Sequence, residues 1–106
     1  MKKKDFLLYH SSFCDKMYEL SKSKSHDYSG FVDGVFGNFE VVEQCGITSV
    51  EVGFLTRMMD KISRVNSFVK QGVCLVTDEK ITDSLMDLSN YCILLSAYIT
   101  DKKQKQ

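Results

Sequence analysis

The stretch Asp78-Glu-Lys-Ile-Thr-Asp-Ser-Leu-Met-Asp-Leu-Ser-Asn-Tyr-Cys-Ile-Leu-Leu-Ser-Ala-Tyr-Ile99 carries the clearest helical pattern in the chain. Its apolar residues are separated alternately by four and three positions. At about 100° per residue, this spacing places them within roughly 40° of one line. We therefore predict a long amphipathic helix over 78–99, with an apolar seam of Ile81, Leu85, Leu88, Cys92, Leu95 and Ile99.

The opposite side of this helix begins acidic and ends apolar. Leu94 and Ala97 follow the polar residues, so we expect another helix to cover this side and to leave the carboxylates in a cleft. Carboxylates one turn apart repel each other, which a divalent cation or basic side chains would relieve. A solvated face and a dimer contact are the alternatives. The polar residues are Glu79, Asp83, Asp87 and Asn90.

The composition indicates one small domain over residues 1–106, with enough apolar residues for one core. The absence of proline favours long helices. The 14 basic residues balance the 14 acidic ones, so the net charge gives no overall attraction to nucleic acid or to an anionic membrane.

No apolar run has the length of a signal peptide or of a membrane span. The four cysteines are far apart in the sequence. A cytoplasmic protein with free thiols is expected.

Three further helices are predicted before the C-terminal one. The first covers 3–24, with an apolar stripe of Phe6, Phe13, Met17 and Leu20, and a glycine-rich loop follows over 25–37. A short helix over 36–44 comes next, with Gly46 as its stop signal. No segment alternates long enough to be a trustworthy strand, although Val73–Val76 is a candidate.

The longest of these helices begins at a capping-box signature, Thr48-Ser-Val-Glu51, and extends to about Lys70 before Gly72. Thr77 or Asp78 is the expected N-cap of the last helix, and 101–106 is expected to fray. We thus predict an all-α fold, a small bundle of three long helices and a short one. The stripe expected to be buried consists of Val52, Leu55, Met59, Ile62 and Val69, and the opposite side carries Arg57, Asp60, Lys61 and Arg64.

The two polar faces belong to helices joined by a short connection, which favours antiparallel neighbours. In one interpretation the acidic face holds Mg²⁺ while the Arg and Lys side chains hold phosphate oxygens. In the other, both faces are solvated or pair through surface salt bridges of little energetic value.

A second candidate site lies in Lys24-Ser-His-Asp-Tyr28. Tyr28 or Phe31 could stack on a base while Lys24 reaches a phosphate, and Asn38 could bond a base edge. The alternative is an ordinary turn that ends a helix. The chain contains no GxxxxGK[ST] or GxGxxG phosphate loop, no GxSxG elbow and no HExxH or CxxC metal motif.

Four motifs in order resemble a family of small phage proteins. They are Lys24-x-His-Asp-Tyr28, Phe36-Gly-Asn-Phe39, Gly53-x-x-x-Arg57-Met-x-Asp60-Lys61-x-x-Arg64 and Asp78-Glu79-x-Ile-x-Asp83-x-x-x-Asp87-Leu-x-Asn90-Tyr91. This order is similar to the nucleotide-modification-associated domain family, which is related to the MazG-like all-α nucleoside triphosphate pyrophosphohydrolases. The similarity spans residues 24–99.

The resemblance implies an oligomeric all-α protein of the host cytoplasm with a Mg²⁺-dependent nucleotide site between helices. MazG-like enzymes cleave the α–β bond of a (deoxy)nucleoside triphosphate. The implied catalytic residues are Asp83 and Asp87. The implied metal ligands are Asp60, Glu79, Asp83 and Asp87, and the implied substrate-binding residues are Lys24, Asp27, Tyr28, Asn38, Arg57, Lys61, Arg64 and Asn90.

The chain departs from the MazG-like pattern at one point. Those enzymes carry an EExxE cluster on the first metal-binding helix, and the corresponding helix here offers only Asp60 among basic residues. Three hypotheses follow: a metal-dependent pyrophosphohydrolase, a non-catalytic protein that sequesters a nucleotide, and an interaction module that dimerises or inhibits a host-defence protein. No direct contact with nucleic acid or membrane is expected.

Overall fold

Four helices account for most of the chain in the computed structural model, which describes residues 1–29, 34–72 and 80–105, without the side chains of 25–29. The described residues contain no strand, so the predicted all-α fold is confirmed, with three long helices and one short one. The candidate strand Val73–Val76 lies outside the described residues. In chain order the helices are α1 (Lys3–Ser29), α2 (Gly37–Gln44), α3 (Val50–Gln71) and α4 (Ile81–Gln104).

Helices α3 and α4 form the most extensive helix pair, and they run antiparallel as predicted. Lys102 near the end of α4 places its Nζ 3.3 Å from Oε2 of Glu51, at the start of α3. Helix α2 packs on α3, where Gly53 permits a close approach: a Cβ there would lie 3.1 Å from Cγ2 of Val42. Helix α1 packs against both α2 and α4.

The core is aromatic and lies between α2, α3 and α4. The rings of Phe39 and Phe54 stack with centroids 4.0 Å apart, and both side chains are buried. Val50 and Leu94 are the other buried apolar residues among those described, and Tyr91 packs edge-on against Phe39. Large rings bury the most apolar surface per residue, which explains why the bundle closes around them.

The predicted buried face of α3 was wrong. Val52, Leu55, Met59, Ile62 and Val69, hereafter the outer stripe, are between 41% and 75% exposed. The inner side of α3 instead carries Val50, Phe54, Arg57, Lys61, Arg64 and Phe68, which repeat at the same 4-3 spacing. Both sides of α3 have helical periodicity. The side that contains the aromatic rings is the one that packs against the rest of the bundle.

The predicted seam of α4 is only half open, since Ile81, Leu88 and Leu95 are partly buried and Leu95 packs against the core. Leu85 and Ile99 are 39% and 42% exposed, and Cys92 is exposed. The packed side consists of Ser84, Asp87, Tyr91, Leu94 and Tyr98, with Asn90 buried beside it. The expectation that another helix covers the acidic side is therefore confirmed at Asp87, Asn90 and Leu94, whereas Ala97 and Asp83 are exposed.

Several helix boundaries differ from the prediction. Helix α1 extends to Ser29 instead of ending near 24, because serine, histidine and aspartate cost only about 0.5 kcal/mol each in a helix and the first glycine comes at position 30. The N-cap of α3 is Ser49, not Thr48, since Ser49 Oγ accepts a hydrogen bond from the Val52 amide at 3.2 Å. The expected fraying tail is helical to Gln104.

The stop signals behave as predicted at two glycines. Gly72 ends α3 in the left-handed region with φ of 75°, and its amide donates to the Phe68 carbonyl at 2.7 Å. Gly46, after α2, also has φ of 75°. Helix α4 begins after Lys80, whose amide donates to Asp83 Oδ2 at 3.3 Å. Lys80 is the N-cap of this helix, so the prediction that Thr77 or Asp78 caps a helix beginning at 78 was wrong.

Candidate functional site

A polar cleft of about 380 Å³ opens where α1, α3 and α4 meet. This volume is in the range of small-ligand sites. Charged side chains from all three helices line it, and two apolar side chains complete the lining. The lining residues are Leu20, Lys24, Lys61, Arg64, Asp83, Met86 and Asp87.

Asp87 is the charged centre of this cleft. Lys61 Nζ lies 3.2 Å from Asp87 Oδ2, and Lys24 Nζ lies 3.7 Å from Asp87 Oδ1. The side chains of Lys61 and Asp87 are only 14% and 21% exposed. Charged groups this far removed from water need a partner, so Lys61 and Asp87 hold each other in place, and Lys24, which is 41% exposed, adds a second cation.

Helical spacing explains how these side chains reach one cleft. Leu20 and Lys24 are one turn apart on α1, Lys61 and Arg64 are three residues apart on α3, and Asp83 and Asp87 are one turn apart on α4. The antiparallel pairing of α3 and α4 then brings the basic and acidic faces to the same opening. The structure thus brings together Lys24, Lys61, Arg64, Asp83 and Asp87 from the predicted site.

Other predicted site residues lie elsewhere. The Arg57 guanidinium is 4.5 Å from the centroid of the Phe39 ring, a cation–π contact in the aromatic core. Asp60 is 56% exposed and does not line the cleft, although its Oδ2 is 3.3 Å from a nitrogen of Arg64, which does. Asn38 is half-buried in the first turn of α2, and it does not line the cleft.

Asn90 is buried one turn beyond Asp87. Its Nδ2 has no hydrogen-bond partner among the described residues. An unsatisfied buried donor costs about 1–3 kcal/mol, which marks Asn90 as a position where an additional acceptor would be favourable.

Several predicted residues cannot be placed. Glu79 and the side chains of Asp27 and Tyr28 lie outside the described residues. Within the described ranges, no group of three or more His, Cys, Asp or Glu side chains converges on a common point. Asp83 and Asp87 are therefore the carboxylates available to the cleft from the part of the chain that the structure describes.

Three cationic side chains and two carboxylates line the cleft, and Arg64 also pairs with Asp60 beside it. The sequence interpretation missed its apolar part, Leu20 and Met86. The position of Leu20 one turn before Lys24 was the available signal. A second cavity of about 370 Å³ shares Asp83 and Met86 with the cleft and adds Tyr9, Ser12, Phe13, Lys16, Lys80 and Thr82.

Comparison with protein-family models, curated proteins and solved structures finds no match for this chain. None of the described helices combines the length and apolarity needed to cross a membrane.

Proposed function

We propose that this protein binds a (deoxy)nucleoside polyphosphate, with Mg²⁺, in the cleft between α1, α3 and α4. The observation that carries the proposal is the convergence of Lys24, Lys61 and Arg64 from two helices on one opening of ligand size. Ammonium and guanidinium groups form the strongest hydrogen bonds to phosphate oxygens. Lys24 and Lys61 lie close together because both contact Asp87.

The carboxylates suit a magnesium ion that arrives with the nucleotide. Mg²⁺ typically keeps several waters and uses one or two carboxylates together with phosphate oxygens. Asp83 and Asp87 meet that requirement, whereas a dedicated cage of protein ligands does not form from the described residues. A cation between these carboxylates and the phosphates would also relieve their mutual repulsion, a role that Lys24 and Lys61 fill at Asp87.

The adjoining cavity is the natural place for the nucleoside. It continues from the cleft through Asp83 and Met86, and its wall includes the rings of Tyr9 and Phe13, whose centroids are 6.2 Å apart. Aromatic rings stack on bases with little sequence preference. If the nucleoside occupies this cavity, a nucleoside triphosphate should bind more tightly than inorganic tripolyphosphate.

Isothermal titration calorimetry tests the binding proposal. The protein is titrated with each deoxynucleoside triphosphate and with tripolyphosphate, with and without Mg²⁺. Lys61→Met should weaken binding by about tenfold or more, which corresponds to about 1.4 kcal/mol. The matched control is Lys70→Met, which removes the same charge from an exposed position on the same helix. Equal affinity of the two variants, or no heat with any nucleotide, would contradict the proposal.

Hydrolysis of the bound nucleotide is the second candidate activity. Asp83 and Asp87, one turn apart on the same cleft, favour it because paired carboxylates can hold a metal that supplies Lewis-acid chemistry. Release of pyrophosphate in the presence of Mg²⁺, lost in Asp83→Asn, would support a pyrophosphohydrolase. Binding with recovery of intact nucleotide would instead identify a sequestering protein, as would suit an inhibitor of host defence.

A further inference from the structure

We infer that the groove between α1 and α4 is a binding site for a copper(I) ion, which His10, Cys14 and Met17 hold. These three side chains line one apolar groove of about 420 Å³. Thiolate and thioether sulfur select Cu(I), and imidazole is a common copper ligand. None of the three lines the cleft of Lys61 and Asp87 or the cavity beside it, so the inference is independent of the proposed nucleotide site.

The sequence places these three side chains on one side of α1. They occupy positions i, i+4 and i+7, which lie within roughly 60° of one another around the helix at about 100° per residue. The HExxH motif of zinc enzymes uses positions i and i+4 for two ligands for the same reason. All three residues are well inside α1, so a regular helix fixes their spacing.

The distance between the imidazole and the thiol fits a three-coordinate ion. Cys14 Sγ lies 3.8 Å from His10 Nδ1. With metal–nitrogen and metal–sulfur bonds of about 2.0 and 2.3 Å, this separation corresponds to an angle of about 120° at the metal. A trigonal ion has one further position, which the Met17 thioether can fill from the next turn. When the ion binds, the Cys14 thiol releases its proton to solvent and binds as the thiolate.

The surroundings of the three ligands favour a monovalent ion. Phe6, Phe13 and Leu85 supply most of an apolar wall, which limits the access of water to a bound metal. Cu(I) with one thiolate and two neutral ligands forms an uncharged complex, whereas a divalent ion would leave a net positive charge in an apolar groove. Zn²⁺ usually takes four ligands, and no third His, Cys, Asp or Glu among the described residues joins His10 and Cys14.

Competition for copper tests the inference. The protein is loaded without oxygen with equimolar Cu(I), supplied as its acetonitrile complex, and titrated with the chromogenic chelator bicinchoninate. Substitutions beyond the ligands of a metal site already cost about 10–100-fold in affinity, so Cys14→Ser and Met17→Leu should each weaken Cu(I) binding at least roughly tenfold. The matched controls, Cys92→Ser and Met59→Leu, remove the same groups from exposed positions and should retain copper as the wild type does.

Two further measurements keep the test decisive if a variant in the groove unfolds, which circular dichroism detects. His10 is exposed, so His10→Gln should stay folded and should also weaken copper binding. X-ray absorption of the copper-loaded wild type should show a three-coordinate ion with one nitrogen and two sulfur ligands. Copper retention by Cys14→Ser or His10→Gln equal to that of the wild type, an equal loss in the two control variants, or coordination by sulfur alone would overturn the inference.

Discussion

At the residue scale, the most informative group is the Lys24–Asp87–Lys61 cluster. Two ammonium groups lie within 4 Å of the Asp87 carboxylate, whose side chain is only 21% exposed. The sequence interpretation expected Asp87 to bind a metal and Lys61 to bind phosphate. In the structure these side chains bind each other, because oppositely charged groups in a common cleft compensate for their lost hydration.

Asp87→Asn should therefore destabilise the protein more than an ordinary surface substitution. It leaves Lys61, which is only 14% exposed, without its carboxylate, and we expect a loss of about 1–3 kcal/mol in the free energy of unfolding. Urea denaturation measures this. Asp60→Asn is the matched control, because Asp60 pairs with Arg64 at the surface and should cost less than about 1 kcal/mol. Equal losses would show that the buried cluster has no special energetic role.

At the element scale, the helix ends and lengths followed largely from local signals. The glycine stops after α2 and α3 were predictable, since Gly46 and Gly72 adopt the left-handed conformation that helix ends favour. The start of α3 was predicted one residue early. Thr48 and Ser49 are adjacent residues of the same capping class, so the sequence does not distinguish them.

The assignment of this cap is testable. Ser49→Ala removes the acceptor of the Val52 amide and should cost about 1 kcal/mol, which lowers Tm by roughly 4–8 °C in a domain of this size. Differential scanning calorimetry measures the shift. Thr48→Ala is the control and should change Tm far less. If Thr48→Ala lowered Tm more than Ser49→Ala, the N-cap would be Thr48.

The faces of the helices were less predictable than their ends. Helix α3 carries the outer stripe on one side and Phe54 with Arg57, Lys61 and Arg64 on the other, at equal spacing. Hydropathy alone favours the outer stripe. The actual packing depends on Phe39 of α2, which stacks on Phe54 and determines which side of α3 meets the bundle.

At the scale of the whole molecule, an ion pair joins the start of α3 to the end of α4. Glu51 begins α3, and Lys102 lies in the final turns of α4. The Glu51 backbone amide and the Lys102 ammonium hold the pKa of the Glu51 carboxyl below its ordinary value of about 4.5. The pair therefore holds the last turns of α4 against the start of α3. This contact is consistent with α4 being helical to Gln104.

This lowered pKa predicts an acid-dependent contribution to stability. Because the folded-state pKa lies below the unfolded one, the contribution is fully present above about pH 4.5 and is lost as the pH falls through the folded-state pKa. Wild-type Tm should decline more steeply in this acid range than the Tm of Glu51→Gln, by a small margin because the pair is partly exposed. Parallel pH profiles of the two Tm values would contradict the assignment.

The sequence alone determined that this chain is helical, that α2 and α3 stop before Gly46 and Gly72, and that α3 and α4 each carry a charged side. These properties depend on residues close together in the chain. Only the tertiary structure decided that the aromatic rings close the core, that Lys24, Lys61 and Asp87 meet in one cleft, and that the outer stripe of α3 is exposed. Periodicity shows which residues share a side of a helix. Which side is buried depends on how the helices pack against one another, because each helix can bury only one side in a shared core.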